Sequence, residues 1–254
     1  MLILLSPSKS MVSGNLHPDA GVSEVLFDKK SKAITKILCK FTPFKLSNLL
    51  EISQSLSEIV YQRYQQFLLQ DHDRKYSQAI FTFTGDAYES MQPDNFQVKD
   101  LEFAQNHLRI ISALYGYLRP LDLILPYRLE METGIQIGKH QNLYSYWKSE
   151  IRKALEADMK TLRSATILNL ASAEYAKSID FKKLPYKVIS PVFLDTVNGT
   201  PKIVSIFAKK ARGSMTDFVI RNQITNPEHL QAFTGNGYMF DVRQSESDRP
   251  VYIR

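Results

Sequence analysis

A single cysteine, Cys39, leaves the chain no intrachain disulfide and no thiolate set for a metal. It sits on an apolar helix face, where packing is its expected role. The five histidines (His17, His72, His107, His140 and His229) are dispersed, and no two share ligand spacing. Asp71-His72-Asp73 holds metal-ligating types but reads first as a polar loop ahead of an apolar run. There is no G-x-x-x-x-G-K-S/T phosphate loop, no G-x-G-x-x-G dinucleotide turn, no G-x-S-x-G nucleophile turn and no H-E-x-x-H zinc helix. No metal and no cofactor are therefore expected. Long apolar runs are also missing: none approaches membrane-spanning length, and Met1-Leu2-Ile3-Leu4-Leu5 is too short for a secretory signal and lacks its basic leader. The expectation is a protein of the reducing cytoplasm with no membrane partner. Repeats, low-complexity tracts and linkers are absent too, so residues 1–254 are expected to form a single domain.

What is present is a foldable mixture, 44% hydrophobic and 23% charged, with 32 Lys and Arg against 26 Asp and Glu. The net charge of +6 favours anionic partners. Three apolar runs end in turn-prone clusters and read as buried strands: Leu2 to Leu5, Ala79 to Phe83, and Thr166 to Leu170. They predict an α/β fold whose ligands gather beyond the strands' carboxyl ends. Those ends bring Ser6, Lys9, Asp86, Tyr88, Asn169, Ser172, Glu174 and Lys177 as candidates for one cleft, although Ser172 reads equally as a plain helix cap. Leu101, Ala104, Leu108, Ile111 and Tyr115 trace one helical stripe. Asn198-Gly199 predicts a type I′ hairpin between Val188 to Leu194 and Ile203 to Phe207, and Tyr238 to Val242 and Val251 to Ile253 are weaker strands.

Three segments concentrate chemistry. The run from Leu114 to Met131 sets Arg119, Asp122, Arg128 and Glu130 among leucines, tyrosines and prolines. Charges in such company need partners. They form a structural ion-pair bracket, or one arginine keeps its fork free for a phosphate or carboxylate. Residues 31–56 read as two short helices about Cys39-Lys40-Phe41, with Thr42 capping the second, Pro43 in its first turn, and Leu46, Leu49, Leu50 and Leu56 on its apolar face. Lys36, Lys40 and Lys45, with free N–H groups at that helix start, would suit a DNA phosphate. The pattern resembles a helix-hairpin-helix module without its usual glycine pair, or an ordinary helical pair. Lys209, Lys210 and Arg212 precede Gly213 in a third, basic helical segment, where a mid-helix glycine suggests close backbone approach.

Taken together, these motifs resemble the YaaA family of bacterial peroxide-stress proteins nearly end to end. LILLSPSKS carries Ser6 and Lys9. TGDAY carries Gly85, Asp86 and Tyr88. LYGYLRPLDLILPYRLEM carries Tyr115, Gly116, Arg119, Pro120, Asp122, Tyr127, Arg128 and Glu130. NLASAEYAK supplies Asn169, Ser172, Glu174, Tyr175 and Lys177, and FAKKARGSM supplies Lys209, Lys210, Arg212 and Gly213. The resemblance implies a compact α/β body with a mixed sheet flanked by helices, a positively charged cleft and a helix-hairpin-helix element. It also implies a part in the hydroperoxide response, limiting damage driven by unincorporated iron, and binding to double-stranded DNA. Two departures stand out: Phe207 replaces a tyrosine common before A-K-K-A-R-G, and Ser8 and Ser10 flank Lys9 where small residues or threonine are usual. The expected function is non-specific duplex binding through Lys36, Lys40, Thr42, Lys45, Lys209, Lys210 and Arg212. The rival is an enzyme acting on a small anionic or nucleotide-like substrate in a cleft of Lys9, Asp86, Tyr88, Arg119, Arg128, Glu174 and Lys177.

Overall fold

In the computed structural model, which describes residues 1–13, 16–69 and 74–254, the chain opens with β1 (Leu2–Leu5), buried throughout. Asp71-His72-Asp73 lies outside the described residues. Three helices follow. The first, α1 (Asp28–Leu38), buries Ile34 and Leu38. The second, α2 (Pro43–Leu50), has proline in its first turn and Thr42 Oγ1 accepting from Lys45 N–H. The third, α3 (Gln54–Gln66), begins at Ser53, whose hydroxyl accepts from Leu56 N–H. The helical pair over 31–56 thus exists as α1 and α2, while Leu56 belongs to α3. Cys39 is half-buried at the end of α1, and its Sγ–H donates to Tyr64 O at 3.1 Å.

The chain continues through β2 (Ser77–Gln78), α4 (Ala79–Thr82), α5 (Asp86–Met91), α6 (Val98–His107), β3 (Leu108–Ser112), β4 (Gly116–Leu118) and β5 (Leu123–Ile124). Two expectations are corrected here. Ala79 to Phe83 is not a strand: Ser77 and Gln78 pair antiparallel with β5, the chain then coils into α4 as Thr82 Oγ1 donates back to Gln78 O at 2.8 Å, and Phe83 makes a single bridge to Met11. A short apolar run fits a buried turn of helix as well as a strand. Nor do Leu101 to Tyr115 form one helix. Leu108 leaves α6 with extended backbone and starts β3, whose five buried residues continue the apolar spacing across the junction.

The remaining elements are α7 (Leu143–Thr161), β6 (Thr166–Leu170), α8 (Ala173–Ala176), β7 (Lys187–Ile189), β8 (Val192–Val197), β9 (Thr200–Lys202), α9 (Ser205–Arg221), β10 (Met239–Phe240) and β11 (Val251–Ile253). The main sheet runs β4-β3-β1-β6-β7, with β4 antiparallel and the other four parallel. A second sheet, β10-β11-β8-β9, mixes both senses. The fold is the expected α/β architecture of mixed sheets flanked by helices. The Asn198-Gly199 turn is present, with φ of 52° and 75° at its two residues. Its arms are β8 and β9: Val188 and Ile189 pair in the main sheet instead, and Ser205 to Phe207 open α9. Among the described residues, no helix is long and apolar enough to cross a membrane.

Gly213 decides how α9 sits. A Cβ built there would fall 1.8 Å from Ala87 O, inside α5. The two helices touch backbone to backbone, as the mid-helix glycine suggested. At an open helical site, Gly→Ala gains about 1 kcal/mol. Gly213→Ala is expected to lose stability instead, by about 3 kcal/mol, because overpacking a close contact forces the backbones apart. Equilibrium urea unfolding reads the sign directly, and a more stable mutant would show that α9 can lift from α5 freely.

Candidate functional site

Beyond the carboxyl ends of β1 and β6 lies a cavity of about 460 Å³. Its walls come from five segments: Ser6 to Ser10 after β1; Gly85 to Tyr88 at the start of α5; Tyr127 to Glu130 with Glu132; Ser172, Glu174 and Tyr175 after β6; and Lys209 and Arg212 from α9. The placement follows the rule for parallel strands. The expected third strand is missing, yet Asp86 and Tyr88 still reach the site through α5.

Hydrogen bonds fix the floor. Ser172 N–H donates to Ser6 Oγ at 2.8 Å and Tyr88 OH donates to Ser6 O at 3.0 Å, which ties the ends of β1 and β6 to α5. Ser172 does occupy the position before α8, but its hydroxyl makes no capping bond and faces Ser6 Oγ at 3.3 Å. Burial pushes the phenols of Tyr88, Tyr127 and Tyr175 above their ordinary value, so these lining residues stay neutral, and the Tyr88 and Tyr127 hydroxyls are engaged with Ser6 O and Ser112 Oγ.

The charged walls divide into two groups. Glu130, Glu132 and Glu174 bring carboxylate oxygens within 4.8 Å of one another, a convergence the sequence did not disclose. Lys9 Nζ lies 2.5 Å from Glu130 Oε2, and Arg128 Nη2 donates to Glu130 Oε1 at 2.9 Å. Arg128 Nε is buried with no hydrogen-bond partner among the described residues. Glu174 Oε1 accepts from Met131 N–H at 2.8 Å. Burial, and then the charges of Glu132 and Glu130, raise the Glu174 carboxyl above the ordinary range. Arg212 differs from Lys9 and Arg128. Its side chain makes no hydrogen bond or ion pair among the described residues, and burial alone lowers its pKa.

Several expected cleft residues lie elsewhere. Arg119 is committed to Asp122, with Nε and Nη2 at 3.0 and 2.9 Å from Oδ1, and to Glu24 O at 2.7 Å; the bracket reading holds for this pair. Asn169 Nδ2 donates to Ser190 Oγ at 3.2 Å, and Lys177 Nζ sits 4.8 Å from the centre of the Tyr144 ring. None of the three lines the cavity. Lys210 is also off the lining, with Nζ 4.0 Å from Asp86 Oδ1. The ring of Phe207 lies 4.2 Å from the Arg254 guanidinium and outside the cavity, so the missing tyrosine hydroxyl takes nothing from the site. The expected positive cleft is also corrected: Lys9, Arg128, Lys209 and Arg212 face Asp86, Glu130, Glu132 and Glu174, four cations against four carboxylates.

At the α1–α2 pair, Lys36, Lys40, Thr42 and Lys45 are all exposed. The start of α2 has fewer free donors than expected. Proline has no N–H, Lys45 N–H goes to Thr42 Oγ1 at 3.4 Å and Leu46 N–H to Thr42 O at 3.0 Å, which leaves Phe44 N–H.

A family model described as peroxide stress protein YaaA matches residues 1–244. The chain belongs to the YaaA family. UPF0246 proteins are similar over full length: that of Acaryochloris marina is 41% identical over 256 residues, with all of both chains covered. Those of Teredinibacter turnerae and Saccharophagus degradans are each 39% identical over 254 residues, covering all of this chain and 99% of theirs. In this YaaA-family chain, the motif residues nearest the strand ends and α9 form the cavity, whereas Arg119, Asn169 and Lys177 brace its surroundings.

Glu174 offers a test of the site's electrostatics. Because folding raises its pKa, its contribution to stability is greatest below about pH 4.3, where the carboxyl is protonated folded or unfolded, and is lost as pH rises through the folded-state value. Glu174→Gln keeps the acceptor for Met131 N–H and removes the charge. The mutant is expected to melt above the parent at neutral pH, with the gap closing as pH falls below that point. A gap independent of pH in thermal unfolding would contradict this.

Proposed function

We propose that this chain serves peroxide defence in the cytoplasm by binding duplex DNA non-specifically, limiting damage driven by unincorporated iron. The observation that carries the proposal is the exposure of Lys36, Lys40 and Lys45 about one helical pair, with no carboxylate partner among the described residues. Free lysines suit phosphates: each contact releases counterions and carries no sequence information. Lys209 and Lys210, also exposed, would add phosphate contacts from α9. Arg212 is better suited to the cavity than to a duplex, since a DNA backbone entering there would meet four carboxylates. Membership of a peroxide-stress family supports the physiological setting.

A second reading, that the cavity takes a small ligand or substrate, is favoured by one specific observation. Arg212 is a half-buried, unpaired guanidinium lining the cavity. Stranding such a charge is unfavourable unless an anion joins it.

Replacing Lys36, Lys40 and Lys45 together with alanine is expected to weaken DNA binding and to flatten the log–log salt dependence by about 2 to 3, near 0.9 for each phosphate contact removed. Thermal unfolding should change little, as the side chains are exposed. Fluorescence anisotropy across a salt series measures the slope, and an unchanged slope would remove the helix pair from the DNA interface.

A further inference from the structure

The small-ligand reading of the cavity can be taken further, because its charges are segregated as well as balanced. Glu130, Glu132 and Glu174 converge at one place. Lys9 and Arg128 both bond Glu130, so these two cations are already engaged at the acidic pole. Arg212 lines the same space, with Lys209 one helical turn before it on α9, yet it pairs with none of the four carboxylates. The fourth carboxylate of the lining, Asp86, lies 4.0 Å from Lys210 Nζ and makes no ion pair with Arg212. One cavity therefore presents an anion-seeking pole and a cation-seeking pole at separate positions.

We propose that the cavity binds a small bipolar molecule, one that carries a phosphate or carboxylate for Arg212 and Lys209 and a protonated amine for the Glu130, Glu132 and Glu174 pole. A ligand with only negative charge would satisfy Arg212 while facing the glutamates, and one with only positive charge would do the reverse. The acidic pole accepts an ammonium in the structure itself: Lys9 Nζ rests 2.5 Å from Glu130 Oε2 while most of its side chain remains in solvent. Glu132, exposed, and Glu174, whose Oε1 holds Met131 N–H, have no cationic partner among the described residues and are left for the ligand's amine. Tyr88, Tyr127 and Tyr175, with Leu5, Leu129 and Leu170, give the space between the poles an amphipathic wall.

The proposal rests on the small-ligand reading, and calorimetric titration of the full chain separates the two. The probes are inorganic phosphate, a homologous series of n-alkyl phosphates, and the matching ω-aminoalkyl phosphates. At least one amine-bearing probe is expected to bind about tenfold tighter than its alkyl counterpart, the gain of one charge-assisted contact. That preference should vanish in Glu132→Gln/Glu174→Gln, while Arg212→Met should abolish binding of both series. Equal affinity of each amine and alkyl pair in the parent protein would overturn the bipolar ligand and leave an anion site standing. No heat with any phosphate, under conditions where the protein is folded, would overturn the small-ligand reading itself.

Discussion

Strand β1 is hydrogen-bonded along both edges, to β3 on one side and β6 on the other, and its four side chains lie entirely in the core. That double pairing is the constraint on which the rest depends. A strand held from both sides cannot slip without breaking two ladders. Its carboxyl end is consequently a fixed point. Ser6 leaves it already bonded to Ser172 and Tyr88, and the segments carrying Lys9, Asp86 and Glu174 are anchored within a few bonds of it.

Around this frame, three arginines follow a consistent logic. Arg109 meets Asp158 at 2.6 Å, where Tyr117 OH also donates; Arg119 meets Asp122; Arg254 meets Asp195 and lies over the rings of Phe207 and Tyr238. Each of these three guanidinium groups finds a carboxylate, as the unfavourable solvation of a lone ion favours. Arg212 departs from that rule, and it does so at the one helix whose glycine lets it press against α5. Proximity of backbones at Gly213 and the lack of a partner at Arg212 are adjacent in sequence and belong to the same wall of the cavity.

Much of this was legible beforehand, and the failures have identifiable causes. The strands at Leu2 and Thr166, the Thr42-Pro43 helix start, the Asn198-Gly199 turn and the tight approach at Gly213 are written in local chemistry, where one or two residues decide the backbone. Ala79 to Phe83 and Leu101 to Tyr115 misled because full burial erases the polar side of the pattern, and periodicity then distinguishes helix from strand poorly. In the site, proximity to a strand end pointed to Ser6, Lys9, Ser172 and Glu174, whereas Asp86 and Tyr88 line the cavity from α5 after a segment that is no strand. The destination of Arg119 depended on Asp122 and a carbonyl far away in sequence, at Glu24. The meeting of Glu132 with Glu174 is likewise a tertiary fact, without local signal. Net charge was the poorest guide: a surplus over the whole chain says nothing about the lining of one cavity.

The environment of Cys39 has a consequence for a member of a peroxide-stress family. Its thiol is half-buried and directed at Tyr64 O, and burial raises its pKa above the ordinary value. Peroxide attacks the thiolate, so this sulfur is a slow target for conversion to a sulfenic acid. Thioether sulfurs are sheltered in the same way: Met1, Met11, Met91, Met131, Met159 and Met215 are buried, and of the seven methionines Met239 alone is open to solvent. Met239 apart, the sulfurs of this chain are thus sheltered from direct attack by an oxidant.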